Sequence, residues 1–338
     1  MEKAPNELAT FRFPDLPDDL TRSVFEASAE DNDGPNWACA RVSKTVQSWV
    51  EPVLYRHIVL KTGSDIINFR RTLTSRPTSK PPHFFSDNVK SLYITGSSYH
   101  QATYEIMSAC PNVSHLEFHL HLAEDKNNEL RVGRHKVWET MRPTRLNIPA
   151  LMFLPSRRHF NFISDGMFDS TRNPIFSSIT HLDLYWDRSI TTWSWETISL
   201  LQGLTHLCFS MAPARLDTIS CASQNLRTAL PYFPTSLTVC VFTIPFTQFF
   251  NNARELIENN STRLDLRVVA AVDVYYYNKE IEKGEEGLWV KREAIWRYAG
   301  GLARKDEEKA FWERAEKVVH SRKAALGIEY AMGQLTII

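Results

Sequence analysis

A short alternation of apolar and polar residues recurs along the middle of the chain and restricts its fold more than any other feature. Two clear copies are Val89–Ile94 and Val113–Phe118, whose alternation is typical of a half-buried β-strand. A single strand of this length cannot bury its apolar face alone, so neighbouring copies must stack. The other copies are Ile179–Leu184, Leu204–Phe209 and Leu237–Phe242, with weaker ones at Arg145–Ile148 and Arg263–Leu266.

The spacing of these copies predicts the kind of stack that they form. Matched positions from Leu92 to Cys240 lie between 24 and 36 residues apart, within the range of leucine-rich repeats but irregular. The asparagine that such repeats usually carry is missing. We therefore predict an α/β fold of the α+β solenoid type, with an irregular leucine-rich-repeat array over residues 61–278.

The last part of the chain, 279–338, is densely charged and regains helical spacing. Within 305–324 the apolar residues at that spacing are Phe311, Ala315, Val318 and Val319. Acidic residues at 306–308 suit the positive end of a helix. This pattern predicts a C-terminal helix that covers the end of the array, because a terminal strand layer would otherwise be bare.

Residues 1–60 have a helical pattern of their own. Pro17 suits a first helical turn, and the apolar residues that follow keep to one face until Gly34 and Pro35 end the helix. Asn36 can cap a second helix, which Pro52 should interrupt or restart. The β-branched segment 57–61 predicts a first strand.

This N-terminal segment resembles an F-box. The resemblance rests on Phe13–Leu20, Val24-Phe25, Arg41–Lys44 and Trp49, which follow one another in the order of that motif. Residues 49–55 are similar to a segment shared by the F-box-like proteins that are abundant in mushroom-forming fungi. The match covers about 45 of the 338 residues. It departs from the pattern in a longer gap between Phe25 and Val42, and in Leu54-Tyr55 where a tryptophan is usual.

The resemblance implies a non-catalytic substrate-recognition subunit of an SCF-type cullin–RING ubiquitin ligase, in the cytoplasm, the nucleus or both. A Skp-family adaptor would bind the N-terminal helices, and an unidentified target protein would bind the repeat sheet. On this hypothesis the chain is not an enzyme and uses no cofactor. The residues implied in adaptor binding or its support are Leu16, Pro17, Leu20, Val24, Phe25, Val42 and Trp49.

Two other classes of function stay open. A leucine-rich-repeat scaffold without ligase association would use the N-terminal helices only as a cap, and it predicts that Leu20, Val24 and Phe25 are buried. An enzyme would need polar residues that converge in a pocket. The sequence contains no G-x-G-x-x-G, P-loop, G-x-S-x-G or H-E-x-x-H motif.

The predicted sheet has polar residues in corresponding places, which suggest a target-binding face. His115, His181 and His206 each precede the first core leucine of a copy, so they should align on the exposed side of the sheet. Asp183 and Tyr185 alternate beside them. We predict that these five residues contribute to target binding, although a His-Leu pair can also be a merely tolerated repeat sequence.

A metal site on the same face is not predicted. His115, Glu117, His119 and His121 share one parity, but positions i and i+2 of a strand lie about 6.6 Å apart, too far for three ligands to close on one ion. The other face takes the apolar residues, so a solvated polar face explains the pattern.

Composition excludes further classes of partner. With 39 basic and 39 acidic residues the formal net charge is zero, so no excess positive field attracts nucleic acid.

The five cysteines are unclustered, which predicts buried thiols in a reducing compartment. The uncharged stretch 228–253 contains three prolines and many polar residues, so it is not expected to span a membrane.

Overall fold

The structure is a computed structural model of the 338-residue chain. It describes residues 16–30, 35–75, 80–97, 100–121, 136–150, 163–164, 167–168, 170–186, 195–211, 226–244, 265–273, 290–292 and 302–326. The helices in these ranges are α1 (Asp18–Ala29), α2 (Lys44–Leu54), α3 (Gly63–Thr74), α4 (Phe84–Asn88), α5 (His100–Ala109), α6 (Val137–Thr140) and α7 (Leu302–Ala325). The strands are β1 (His57–Leu60), β2 (Ser91–Ser97), β3 (His115–His121), β4 (Arg145–Pro149), β5 (Ile163–Ser164), β6 (Met167–Phe168), β7 (His181–Trp186), β8 (His206–Met211), β9 (Val239–Ile244), β10 (Val268–Asp273) and β11 (Val290–Arg292).

Nine of the described strands form one sheet in which every neighbouring pair is parallel. The strands follow one another in chain order, with β5 and β6 set apart as a small antiparallel pair. Parallel neighbours need crossover connections, and the described crossovers after β1 and β2 contain helices. The α/β fold class predicted from the sequence is confirmed.

The register of the sheet confirms the alignment of the sequence copies. Leu92 pairs with Leu116, and the same row continues through Leu146, Leu182 and Leu207 to Cys240. The weak copy at 263–266 is wrongly placed, because the next strand begins at Val268, which is the partner of Cys240. Asp265 accepts hydrogen bonds from the backbone and guanidinium of Arg267, which holds this segment in a turn before the strand.

One face of the sheet carries the main hydrophobic core. Leu60, Ile94, Phe118, Ile148 and Leu184 form its second apolar row, and all are buried. Helices α3, α4, α5 and α6 contribute buried side chains to the same cluster. The side chains on this face are therefore the apolar ones of each alternating strand sequence.

The N-terminal helical unit consists of α1, a 3-10 turn at Cys39–Arg41 and α2. The predicted helix start at Asn36 is wrong, because the Ser43 hydroxyl accepts a hydrogen bond from the Val46 amide and caps α2 there. Pro52 lies within α2 without ending it. The predicted strand at 57–61 is confirmed as β1.

The N-terminal helical unit has a small core of its own and is joined firmly to the sheet. That core consists of Ala29, Cys39, Val46, Val50 and Leu54. At the junction Tyr55 makes edge contacts with Phe84 and Phe85, at centroid distances of 5.6 and 5.2 Å. Ion pairs of Arg56 with Glu30 and of Lys80 with Glu51 lie beside it, at 3.0 and 3.1 Å.

The cysteines that the structure describes are buried free thiols, as the sequence predicts. They are Cys39, Cys110, Cys208 and Cys240, and Cys221 lies outside the described residues. Burial raises the pKa of Cys110 to about 12. Across the described ranges, no helix combines the length and apolarity needed to cross a membrane.

Candidate functional site

Four neighbouring strands place a row of basic side chains on the face opposite the main core. His115 pairs with Arg145, Arg145 with His181, and His181 with His206. We call these four residues the histidine row. Its alignment across β3, β4, β7 and β8 confirms the correspondence of the three histidines in the sequence and adds Arg145, which precedes Leu146 as each histidine precedes its leucine.

The expectation that this face is exposed is wrong. Asp183 is completely buried, and His115, His181 and His206 are only partly accessible. Helix α7 lies on this face over Arg145, His181 and His206. It packs on the end strands β9 and β10, as a capping helix should, and also extends across the face as far as β4. The β7 backbone includes Tyr185, whose side chain lies outside the described part of the structure.

Helix α7 contacts the histidine row through three side chains spaced four residues apart. Glu308 forms an ion pair with Arg145. The Trp312 indole lies edge-on to the rings of His181 and His206, at centroid distances of 5.4 and 4.9 Å. The three spaced side chains are Glu308, Trp312 and Glu316, which at intervals of four residues share one helix face.

Glu316 sets the protonation pattern of His206. Its carboxylate oxygen lies 3.1 Å from Nε2 of that ring. Since a carboxylate only accepts hydrogen bonds, Nε2 carries a proton and donates. The Thr205 hydroxyl lies 2.8 Å from Nδ1, so in the neutral ring it is the donor to that nitrogen.

The histidines of the row are held neutral. His181 and His206 stack with ring centroids 4.1 Å apart and planes 3° from parallel. Burial lowers the pKa of His181 to about 2, and the nearby positive charge of Arg145 acts in the same direction. Burial likewise lowers the pKa of His115 to about 3. The pKa of His206 is also lowered by burial, against the opposing effect of Glu316.

The ion pair at the β4 end of the helix is largely withdrawn from water. The side chain of Glu308 is 4% exposed and that of Arg145 is 33% exposed. Burial raises the pKa of Glu308, while Arg145 opposes that rise. The pair therefore depends on both partners, because an isolated buried carboxylate is costly.

An apolar strip continues the site beyond the histidine row. Phe311, Ala315 and Val319 of α7 are buried in a cluster with side chains of β8, β9 and β10. The strand residues of this cluster are Cys208, Val239, Val241, Val269 and Ala271. This cluster is separate from the main core, which lies on the other face of the sheet. The predicted burial of the apolar α7 stripe is confirmed.

The contacts show that α7 crosses the strands. Glu308 meets β4, and fourteen residues later Arg322 donates a hydrogen bond to the Val268 carbonyl of β10. Fourteen residues of α-helix span about 21 Å. The four strand intervals from β4 to β10 span about 19 Å. The helix therefore runs along the histidine row, across the sheet.

A second surface lies on the N-terminal helical unit, where apolar side chains face solvent. Leu20 and Val24, one turn apart on α1, are 50% and 48% exposed, and Val42 is 60% exposed. Trp37, which the sequence analysis did not single out, is 44% exposed in the same unit and packs edge-on against Tyr55, at a centroid distance of 5.1 Å. We call the exposed residues Leu20, Val24 and Val42 the apolar patch.

The remaining residues of the expected adaptor set have different surroundings. Pro17 is exposed and Leu16 is partly buried. Phe25 and Trp49 are partly buried and pack against the core of the N-terminal helical unit. Those two therefore support the helices rather than present an open surface.

Three residues of the site were missed because the sequence does not show what faces the sheet. Glu308, Trp312 and Glu316 are recognisable in the sequence only as one stripe of a helix. Comparison with family models, curated proteins and solved structures finds no match to the chain. The function must therefore be inferred from the apolar patch and from the face of the sheet that carries the histidine row.

Proposed function

We propose that this protein is a non-catalytic substrate-recognition subunit of an SCF-type cullin–RING ubiquitin ligase. The observation that carries the proposal is the apolar patch on the N-terminal helical unit. A Skp-family adaptor would cover that patch, and a target protein would bind the sheet. The finer fold assignment belongs to the same proposal: an F-box-like unit followed by an irregular leucine-rich-repeat solenoid.

The patch has the properties of a helical docking surface. Leu20 and Val24 lie on one face of α1 and are not used by the core of the unit. Burying a leucine or valine side chain contributes roughly 1.5–3 kcal/mol. A partner groove that accepts an amphipathic helix gains from such side chains at i and i+4.

The junction between the unit and the sheet also supports a receptor role. Tyr55 packs against α4, and the ion pair of Arg56 with Glu30 fixes the end of α1 beside β1. An adaptor on one side and a target on the other would then be held in a fixed relation. A subunit that presents a target to separate catalytic subunits needs such a relation.

The sheet supports the repeat assignment. Each main copy of the sequence pattern contributes one strand, and the matched leucines are hydrogen-bonded neighbours in the parallel sheet. Stacking of one strand per repeat is the physical basis of a solenoid.

The test is co-purification of the full chain with a Skp-family adaptor. We expect a stoichiometric complex with the wild type that is lost in a Leu20→Asp, Val24→Asp double variant. The matched control is Ile67→Asp, because Ile67 is 46% exposed on α3, outside the N-terminal helical unit. That variant should retain the adaptor, and circular dichroism should show that all three proteins are folded.

The scaffold hypothesis makes the opposite prediction. It requires buried Leu20 and Val24, an expectation that their exposure contradicts, whereas partly buried Phe25 fits it. Absence of a complex with a folded wild-type protein would overturn the ligase proposal. Equal loss of the complex in the Ile67→Asp control would show that the patch is not its specific determinant.

A further inference from the structure

Helix α7 lies on the polar face of the sheet, and its contacts show what kind of helix this face can bind. The face has Arg145 as its cationic end and apolar side chains of β8, β9 and β10 at the other end. Between them lies the stacked pair of His181 and His206, which contacts an aromatic ring of the helix. On α7 the complementary groups follow one another as an acid, a tryptophan and a second acid at intervals of four residues.

We propose that this face is a recognition site for amphipathic helices of target proteins that carry an acidic, an aromatic and a second acidic residue at positions i, i+4 and i+8. In this structure α7 occupies the site in cis. A target helix would bind by displacing α7. The inference rests on the proposed function only in naming the bound protein as a target; the site itself does not depend on adaptor binding.

The separation of the two cores allows the exchange. The main core lies on the opposite face of the sheet and contains no α7 residue. The buried apolar side chains of α7 all belong to the second cluster. Removal of α7 therefore leaves the main core packed and uncovers Arg145, His181 and His206 together with the apolar strip.

Charge complementarity selects the occupant. Glu308 is bound by Arg145, and Glu316 accepts a hydrogen bond from His206. A helix with basic residues at these two positions would place like charges beside Arg145 and leave His206 without its acceptor. On the outer side of α7, Glu313 is 61% exposed and pairs only loosely with Lys309, at 3.7 Å. This residue therefore offers a matched control on the same helix.

The exchange can be tested with the synthetic peptide 302–326 as a fluorescent probe. The receptor is the full chain, either wild type or with Glu308→Lys and Glu316→Lys to weaken the cis helix. A tethered helix competes at millimolar effective concentration, so we expect the double variant to bind the peptide at least about tenfold more tightly than the wild type does. Fluorescence anisotropy gives both dissociation constants.

Two altered peptides define specificity. A peptide with Glu313→Lys should bind the double variant like the unmodified peptide. A peptide with Glu316→Lys should bind at least about tenfold more weakly. Equal affinity of the two altered peptides, or equal affinity of both receptors for the unmodified peptide, would overturn the proposal.

A second measurement covers the case in which the double variant does not fold. Hydrogen exchange of the wild-type chain should show that the α7 amides exchange through an opening that leaves the β3 and β7 amides protected. Exchange of α7 only together with the sheet would mean that the helix is an integral part of the fold and would overturn the proposal. A stable dimer formed through exchanged α7 helices, detected by light scattering, would overturn occupancy in cis.

The adaptor experiment separates this inference from the proposed function. The double variant keeps the apolar patch, so it should still co-purify with a Skp-family adaptor if that proposal holds. Loss of peptide binding with retained adaptor binding would overturn only the helix-recognition site. Retained peptide binding without an adaptor complex would overturn only the ligase assignment.

Discussion

Helices α1 and α7 both carry an apolar stripe, yet the two stripes have opposite surroundings. On α1 the side chains of Leu20 and Val24 face solvent, whereas on α7 Phe311 and Ala315 are completely buried against the sheet. The difference lies in the surface that each helix meets within the chain: α1 packs through its other residues on α2, and α7 meets an apolar strip beside the histidine row. An amphipathic pattern therefore specifies that a helix has a face to cover, but not whether its own chain covers it.

The largest effect is expected when an aromatic ring is removed from the buried stripe of α7. Phe311→Ala removes a completely buried aromatic ring, a change that typically costs about 3–5 kcal/mol. We expect the free energy of α7 opening, measured by hydrogen exchange, to fall by about 3 kcal/mol or α7 protection to disappear. The sheet amides should keep theirs, because the main core lies on the other face.

The control for this change is Leu20→Ala on α1. An exposed side chain contributes little to folding, so the free energy of unfolding should change by less than about 0.5 kcal/mol. If Leu20→Ala destabilised the protein as much as Phe311→Ala destabilises α7, the contrast between the two helices would be refuted.

A smaller effect is expected at the ion pair. Arg145→Met leaves the buried Glu308 carboxylate without its counter-charge, so we expect the free energy of α7 opening to fall by about 2 kcal/mol at pH 7.5. The double variant Arg145→Met, Glu308→Met should recover part of this loss, because no charge then stays buried. Hydrogen exchange of α7 is again the measurement.

The exposed ion pair of Lys309 with Glu313, on the same helix, serves as the comparison for the buried pair. Lys309→Met should change α7 protection by less than about 0.5 kcal/mol, since its contact with Glu313 lies in solvent. An equal effect of Lys309→Met and Arg145→Met would contradict a special role of the buried pair.

The smallest effect concerns pH. Burial depresses the folded-state pKa of His181 to about 2 and that of His115 to about 3, below the unfolded value of about 6.5. Their stabilising contribution is therefore complete above pH 6.5 and is lost as pH falls towards the folded values. Between pH 7.5 and 5.5 the urea unfolding free energy should decrease by about 1 kcal/mol per histidine. The raised pKa of Glu308 acts in the opposite direction.

The variant His181→Gln checks the assignment of this pH dependence. Glutamine does not titrate, so the decrease between pH 7.5 and 5.5 should be smaller in the variant than in the wild type. An unchanged slope would show that other groups cause the pH dependence.

Most strands and their register follow from the sequence. Leu116, Leu182 and Leu207 each occupy the same place in an alternating segment, and in the sheet they are neighbours of one row. Alternation has a period of two, so it determines which side chains share a face. The prediction failed at 263–266, where Asp265 and Arg267 form a turn that the apolar pattern does not reveal.

The candidate site was only half predictable. The place of the three histidines on one face follows from their position before the first core leucine, and the buried stripe of α7 follows from its spacing. The contact between these histidines and α7 does not follow from the sequence, because β8 and α7 are about a hundred residues apart. Neither pattern indicates the other as its packing partner. His206 and Glu316 illustrate this: their hydrogen bond joins positions 110 residues apart in sequence.

The sequence by itself determined local geometry: strands from alternation, helices from their spacing and caps, and one apolar face for each element. Only the tertiary structure decided which of these faces are covered. It leaves Leu20 and Val24 in solvent and buries Asp183 on the polar face of the sheet. The physical reason is that periodicity acts over a few residues, whereas burial depends on the shape and charge of surfaces that meet from distant parts of the chain.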